Sequence, residues 1–200
     1  MSWRERVFTL LGIWYILLGI VALFNSYYYF EVDQVYWFCY LGMFLLGIGL
    51  LWRNGDLLVV QFTILAGGLL FWTLDFSYRL LSGNDYLGIS SYFFEDGSLI
   101  PKLVTLQHVY TIPVVLYALS ILKIKGRRLW VLSFLEAVIL YFLTFFFTSP
   151  EYNVNCVFYS CIRFFDLQLY YPYIWFLLVF LMIFVTHFIV MRLPFVQSRR

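Results

Sequence analysis

Charge is scarce in this chain. Of its 200 residues, 12% are Asp, Glu, Lys or Arg, against roughly 25% in a soluble globular domain. That shortage excludes a disordered tail, which needs high charge, and a nucleic-acid binder, which needs a basic surface. Cysteine is scarce too, and three residues cannot staple a small secreted domain. Familiar chemical motifs are missing. There is no H-E-x-x-H, no G-x-S-x-G, no Walker loop and no paired cysteine motif for zinc. There is no arginine ladder of a voltage sensor and no mid-span lysine to hold retinal. Internal repeats are not evident, which counts against an inverted-repeat transporter.

What is present is apolar. Hydrophobic residues make up 64% of the chain and aromatics 24%. This excludes a soluble enzyme and predicts an all-α polytopic membrane bundle, one domain over residues 1–200. Six apolar runs, at about 7–24, 35–52, 57–74, 103–122, 129–147 and 170–191, each have the length of one crossing. Helix is the state expected, because an isolated strand leaves backbone polar groups unpaired in lipid. Arg4 and Arg6 before the first run mimic a signal peptide. That run is too long for an h-region and no small-x-small cleavage site follows, so it reads as a retained span.

The charges set an orientation. With the N-terminus cytoplasmic, the inner side carries Arg4, Arg6, Arg53, Lys123, Lys125, Arg127, Arg128, Arg192, Arg199 and Arg200. The outer side carries only Arg79, Lys102 and Arg163, with Glu31, Asp33, Asp75, Asp85, Glu95, Asp96, Glu151 and Asp166. The positive-inside bias then predicts six transmembrane helices, N-in and C-in. Trp3, Trp37, Trp52, Trp72, Trp130 and Trp175 fall near span ends, as an aromatic belt requires; Trp14 is the exception.

Two outer loops are long, 76–102 and 149–169. The first predicts a short helix or re-entrant segment at the interface. In the second, Phe164, Phe165 and Leu167 should dip toward lipid. Cys156 and Cys161 share that loop. A disulfide is allowed if the outer side is periplasmic or lumenal, free buried thiols are the alternative, and the four-residue spacing is not that of a thioredoxin-like redox motif. Cys39 reads as a small packing residue.

Polar groups at membrane depth are functional candidates. An outer set holds Thr73, Asp75, Gln107, His108, Asn153 and Asn155. In the enzyme reading His108 is a general base, Asp75 orients it, and Asn153 with Asn155 binds an oxyanion or headgroup. The blander reading pairs Asp75 with Arg79 at i+4. An inner set, Thr63, Glu136 and His187, lies about 10 Å deep, with a Glu136–His187 hydrogen bond as the specific expectation.

Leu74-Asp75-Phe76…Arg79-Leu80…Gly83, His108…Pro113, Thr148-Ser149-Pro150…Asn153-Val154-Asn155 and Thr186-His187 together resemble a group of uncharacterised bacterial six-span membrane proteins. That resemblance implies a bacterial inner-membrane setting and carries no known activity. Phe62-Thr63-Ile64 and His108…Pro113 are weakly similar to the six-span threonine hydrolases of lipid esters. Such an enzyme needs its nucleophile within about 3 Å of its base, whereas the span assignments separate Thr63 and His108 in depth.

The leading expectation is therefore a protein that binds or processes a lipid or other amphiphile at the outer leaflet. The alternatives are a scaffold or partner subunit of a larger membrane complex, and proton or ion conduction through Glu136 and His187. Membrane lipids are the expected partners, with a membrane-protein partner or a second copy also open; nucleic acid is not expected. The sequence names no cofactor and no metal.

Overall fold

The computed structural model describes residues 2–29, 32–95, 97–162 and 170–197. Glu31, Asp96, Arg163, Phe164, Phe165, Asp166, Leu167, Arg199 and Arg200, which entered the charge and loop readings, lie outside the described residues. Among the described residues all regular structure is helical. The order is α1 (Trp3–Tyr28), a 3-10 turn (Val32–Tyr36), α2 (Phe38–Leu51), α3 (Gly55–Ser82), α4 (Ser91–Phe94) and α5 (Leu99–Thr105). Then come α6 (Gln107–Leu119), α7 (Leu129–Phe147), a 3-10 turn (Val154–Cys156), α8 (Tyr171–Arg192) and α9 (Pro194–Gln197).

Five rods are long and apolar enough to cross a membrane: α1, α3, the joined Leu99–Leu119 pair of α5 and α6, α7 and α8. The expected second span, 35–52, is built differently. Its α-helix has 14 residues, about 21 Å against a hydrocarbon core of about 30 Å. The chain above it is a separate 3-10 turn, and Trp37 between the two is extended (φ −59°, ψ 132°). The third span also departs from expectation. It continues to Ser82, so Phe76, Tyr78 and Arg79 are helical and the outer loop begins only at Gly83. Gly83, at φ +74°, closes the helix by donating its N–H to Arg79 O. The loop beyond contains a short helix, α4, one of the two forms expected there.

Packing explains why these helices hold together where lipid offers no hydrophobic drive between them. α1 and α2 touch backbone to backbone. A Cβ placed on Gly12 would lie 2.8 Å from Gly47 O, and one on Gly47 would lie 2.8 Å from Gly12 O. Only glycine at both positions permits that approach. Around α3 the core is closed by Tyr15, Met43, Leu46, Leu58, Leu69 and Leu119, all fully buried.

Two contacts define one end of the bundle. Arg53 Nη1 meets Glu5 Oε1 at 3.0 Å, joining the start of α1 to the α2–α3 turn. Asp56 Oδ1 accepts from Lys125 N at 2.7 Å, joining that turn to the α6–α7 connection. The cations of these segments, and Arg192 at the last turn of α8, thus share one end. Asp33, Asp75, Asp85, Glu95 and Glu151 belong to segments at the other.

Candidate functional site

Asp75 is 1% exposed, and it neither orients His108 nor pairs with Arg79. Its Oδ1 accepts from Leu87 N at 2.6 Å and from Gly88 N at 3.3 Å. Its Oδ2 accepts from Ser90 N and Ser90 Oγ, both at 2.8 Å. The reason is the loop. Residues 83–90 form no regular structure, so their N–H groups need acceptors, and a carboxylate can take several at once. Such charge-assisted bonds contribute about 1.5–3 kcal/mol each. Arg79 is drawn away to Asp85 and lies over the Phe94 ring, 4.8 Å from its centroid.

Asn153 and Asn155 are committed in the same way. Both adopt left-handed backbone, at φ +41° and +54°, which asparagine tolerates better than most residues. Asn155 Oδ1 accepts from Phe38 N at 2.8 Å, and its Nδ2 donates to Tyr36 O at 2.7 Å and Thr144 Oγ1 at 3.0 Å. One side chain therefore bridges the break between the 3-10 turn and α2, which is why the chain can be discontinuous there without orphaning Tyr36 O or Phe38 N. Asn155 O also accepts from Trp175 Nε1 at 2.9 Å. Asn153 Oδ1 takes the N–H groups of Phe158 and Tyr159, at 3.0 and 3.2 Å, while its Nδ2 donates to Tyr159 O at 2.8 Å. Neither amide is open to an oxyanion or headgroup, contrary to the role the sequence suggested. Cys156 and Cys161 form a disulfide, Cα–Cα 5.6 Å, that closes the same loop. Tyr171 Oη donates to Cys156 O at 2.8 Å, tying the loop to α8.

His108 stands where the helix is interrupted. At Leu106, between α5 and α6, Val109 N–H bonds Leu106 O at 3.1 Å, three residues back. Thr105 O, which an unbroken α-helix would give to Val109, instead lies 2.7 Å from His108 Nδ1. Gln107 Nε2 lies 3.1 Å from the same nitrogen. The carbonyl can only accept and the amide nitrogen can only donate, so the two contacts ask for opposite tautomers; the closer one, to Thr105 O, favours a proton on Nδ1. Among the described residues, nothing hydrogen-bonds Nε2, the nitrogen left with a lone pair. Thr73 Oγ1 donates to His108 O at 3.1 Å, which sets the height of the ring. Thr73 is 18 residues beyond Gly55, about 27 Å along α3. Trp72 lies against the imidazole, ring centroids 4.9 Å apart, and its Nε1 donates to Tyr92 Oη at 3.0 Å. Behind His108, Tyr15 Oη donates to Thr111 Oγ1 at 2.9 Å, and Thr111 Oγ1 lies 2.8 Å from Gln107 Oε1.

The inner set is rearranged. Glu136 Oε2 accepts from Gln61 Nε2 at 2.7 Å, in place of the expected His187. Thr63 Oγ1 lies 2.7 Å from Ser133 Oγ, which also donates toward Val60 O and Leu129 O, both at 3.1 Å. These bonds form a polar seam between α3 and α7. His187, on α8, is buried at 7% exposure. Thr63 and Thr73, ten residues apart on α3, differ in height by about 15 Å, so Thr63 is remote from the Thr73–His108 contact.

Sequence reasoning missed Gln61, Ser90, Ser133 and the Trp72–Tyr92 pair. Gln61 was findable: it is the amide in an apolar run, six residues into α3, level with Glu136 seven residues into α7. Ser90 was not, because its role depends on how an irregular loop folds back. Trp14, the exception to the belt, is explained by its Nε1 donating to Tyr110 Oη at 2.9 Å.

Together these features define an all-helical bundle of the multi-pass membrane type, with two polar centres toward its acidic end. No family model, curated protein or solved structure matches the chain.

Proposed function

We propose that this chain is a six-span membrane protein, with the start of α1 and the end of α8 cytoplasmic, that binds a lipid or other amphiphile at the outer leaflet beside His108. α2 with its 3-10 turn serves as the sixth membrane-embedded segment. Two independent features support the orientation. Cations crowd one end, as positive-inside topology requires. The Cys156–Cys161 disulfide sits toward the other, as an oxidising compartment permits. Kinship with the bacterial six-span proteins it resembles belongs to the same proposal, and lends no activity.

The observation that carries the binding reading is His108 Nε2, which no described residue hydrogen-bonds, while Thr105 O at 2.7 Å engages Nδ1. Native mass spectrometry of the protein released from membranes tests it. A co-purifying amphiphile is expected in the wild type and is lost in His108→Ala; an identical spectrum from both would sink the reading. Full commitment of Asp75, Asn153 and Asn155 to internal bonds favours a second reading, a non-enzymatic subunit of a larger complex. A stoichiometric protein partner in the same spectrum, unaffected by His108→Ala, would mark that case.

A further inference from the structure

The surroundings of His108 narrow the kind of headgroup it can hold. Among the described residues, charge runs against the common choice, an anionic headgroup. A phosphate or carboxylate is held most strongly by Arg or Lys. The described cations at the acidic end are Arg79 and Lys102. Arg79 is engaged by Asp85 and the Phe94 ring, and Lys102 Nζ donates to Glu95 O. An anion entering there would meet the field of Asp33, Asp75, Asp85, Glu95 and Glu151 instead.

The acceptor points the same way. With the proton on Nδ1, Nε2 offers a lone pair and asks for an O–H or N–H. The neighbouring wall is aromatic. Trp72 stacks on Phe76 at 4.9 Å, Phe93 meets Phe76 edge-on at 4.9 Å, and Trp72 leans on the imidazole itself. Leu103 and Val109, flanking His108 on the same rod, are 52% and 42% exposed, and give a tail a path along the outside of the bundle.

We infer that the site takes an uncharged, hydroxyl-bearing amphiphile whose O–H donates to His108 Nε2. The inference rests on the amphiphile reading above and specifies its chemistry. A quinol and a neutral glyceride alcohol both supply such a hydroxyl, and the experiment separates them.

The full chain is placed in phosphatidylcholine nanodiscs, and thermal unfolding is followed with a short-chain benzoquinol, with diacylglycerol, or with phosphatidic acid. A rise of about 5 °C at large excess is expected for the quinol, the diacylglycerol or both. Quinol alone would identify a flat-ring ligand, and diacylglycerol alone a glyceride; either supports the proposal. His108→Ala should abolish the shift. His108→Gln, whose amide oxygen still accepts, should retain part of it, which guards against a folding defect in the first variant. A His108-dependent rise with phosphatidic acid alone would overturn the neutral-hydroxyl assignment and leave amphiphile binding standing. No rise with any of the three, or rises that persist in both variants, would overturn the binding reading itself.

Discussion

Asn155 and His108 occupy comparable heights in the bundle and differ in one respect. Asn155 bonds Thr144, 15 residues beyond Leu129 and about 22 Å along α7; His108 bonds Thr73, about 27 Å along α3. Both side chains mend a break in a helix. Asn155 uses both ends of its amide to do so, accepting from Phe38 N and donating twice. His108 uses one nitrogen and keeps the other. Depth in a membrane marks a polar group as costly. Under the proposed function, what separates the two side chains is that His108 keeps a ring nitrogen that no described residue hydrogen-bonds.

The comparison breaks most readily at its structural side. Asp75→Ala should cost roughly 3–5 kcal/mol, because three backbone N–H groups and the Ser90 hydroxyl lose one shared acceptor. Differential scanning in detergent would report it, along with new proteolysis between residues 83 and 90. Asn155→Ala should cost about 2–4 kcal/mol and expose the start of α2 to hydrogen exchange. Unchanged exchange at Phe38 would remove Asn155 from its bridging role. Reducing the Cys156–Cys161 disulfide should cost about 2 kcal/mol, the chain-entropy value for so short a loop. Its effect should be confined to protease sensitivity near residues 153–161. His108→Ala should have the smallest effect on the melting of the ligand-free protein, about 1 kcal/mol or less, while changing ligand retention most. A large loss of stability there would make His108 a second Asn155 and erase the contrast.

Legibility followed the range of the interaction. The apolar runs announced α1, α3, α7 and α8, and the bounds of α7, Leu129 to Phe147, match the sequence reading. The break in residues 35–52 was hidden, because they are apolar on both sides of Trp37 and the side chain that bridges it, Asn155, lies more than a hundred residues away. The polar candidates were found but their pairings were not. Asp75 went to a loop and Glu136 to Gln61, since the nearest charge in sequence is only one of several acceptable partners once helices pack. The two cysteines were seen as compatible with a bridge, and the fold of residues 153–161 brings them together.

The sequence by itself determined that this chain is helical, membrane-like and electrically polarised. Those properties are sums over local residues: hydropathy over a crossing length, and the count of cations in each turn. Only the tertiary structure decided which polar groups are used up and which keep an atom that no described residue hydrogen-bonds, as His108 Nε2, Asn25 Oδ1 and Ser149 Oγ do. Hydrogen-bond saturation depends on atoms brought within 3 Å from distant parts of the chain, such as Asn155 with Phe38 and Asp75 with Ser90. No pattern along a single helix encodes that.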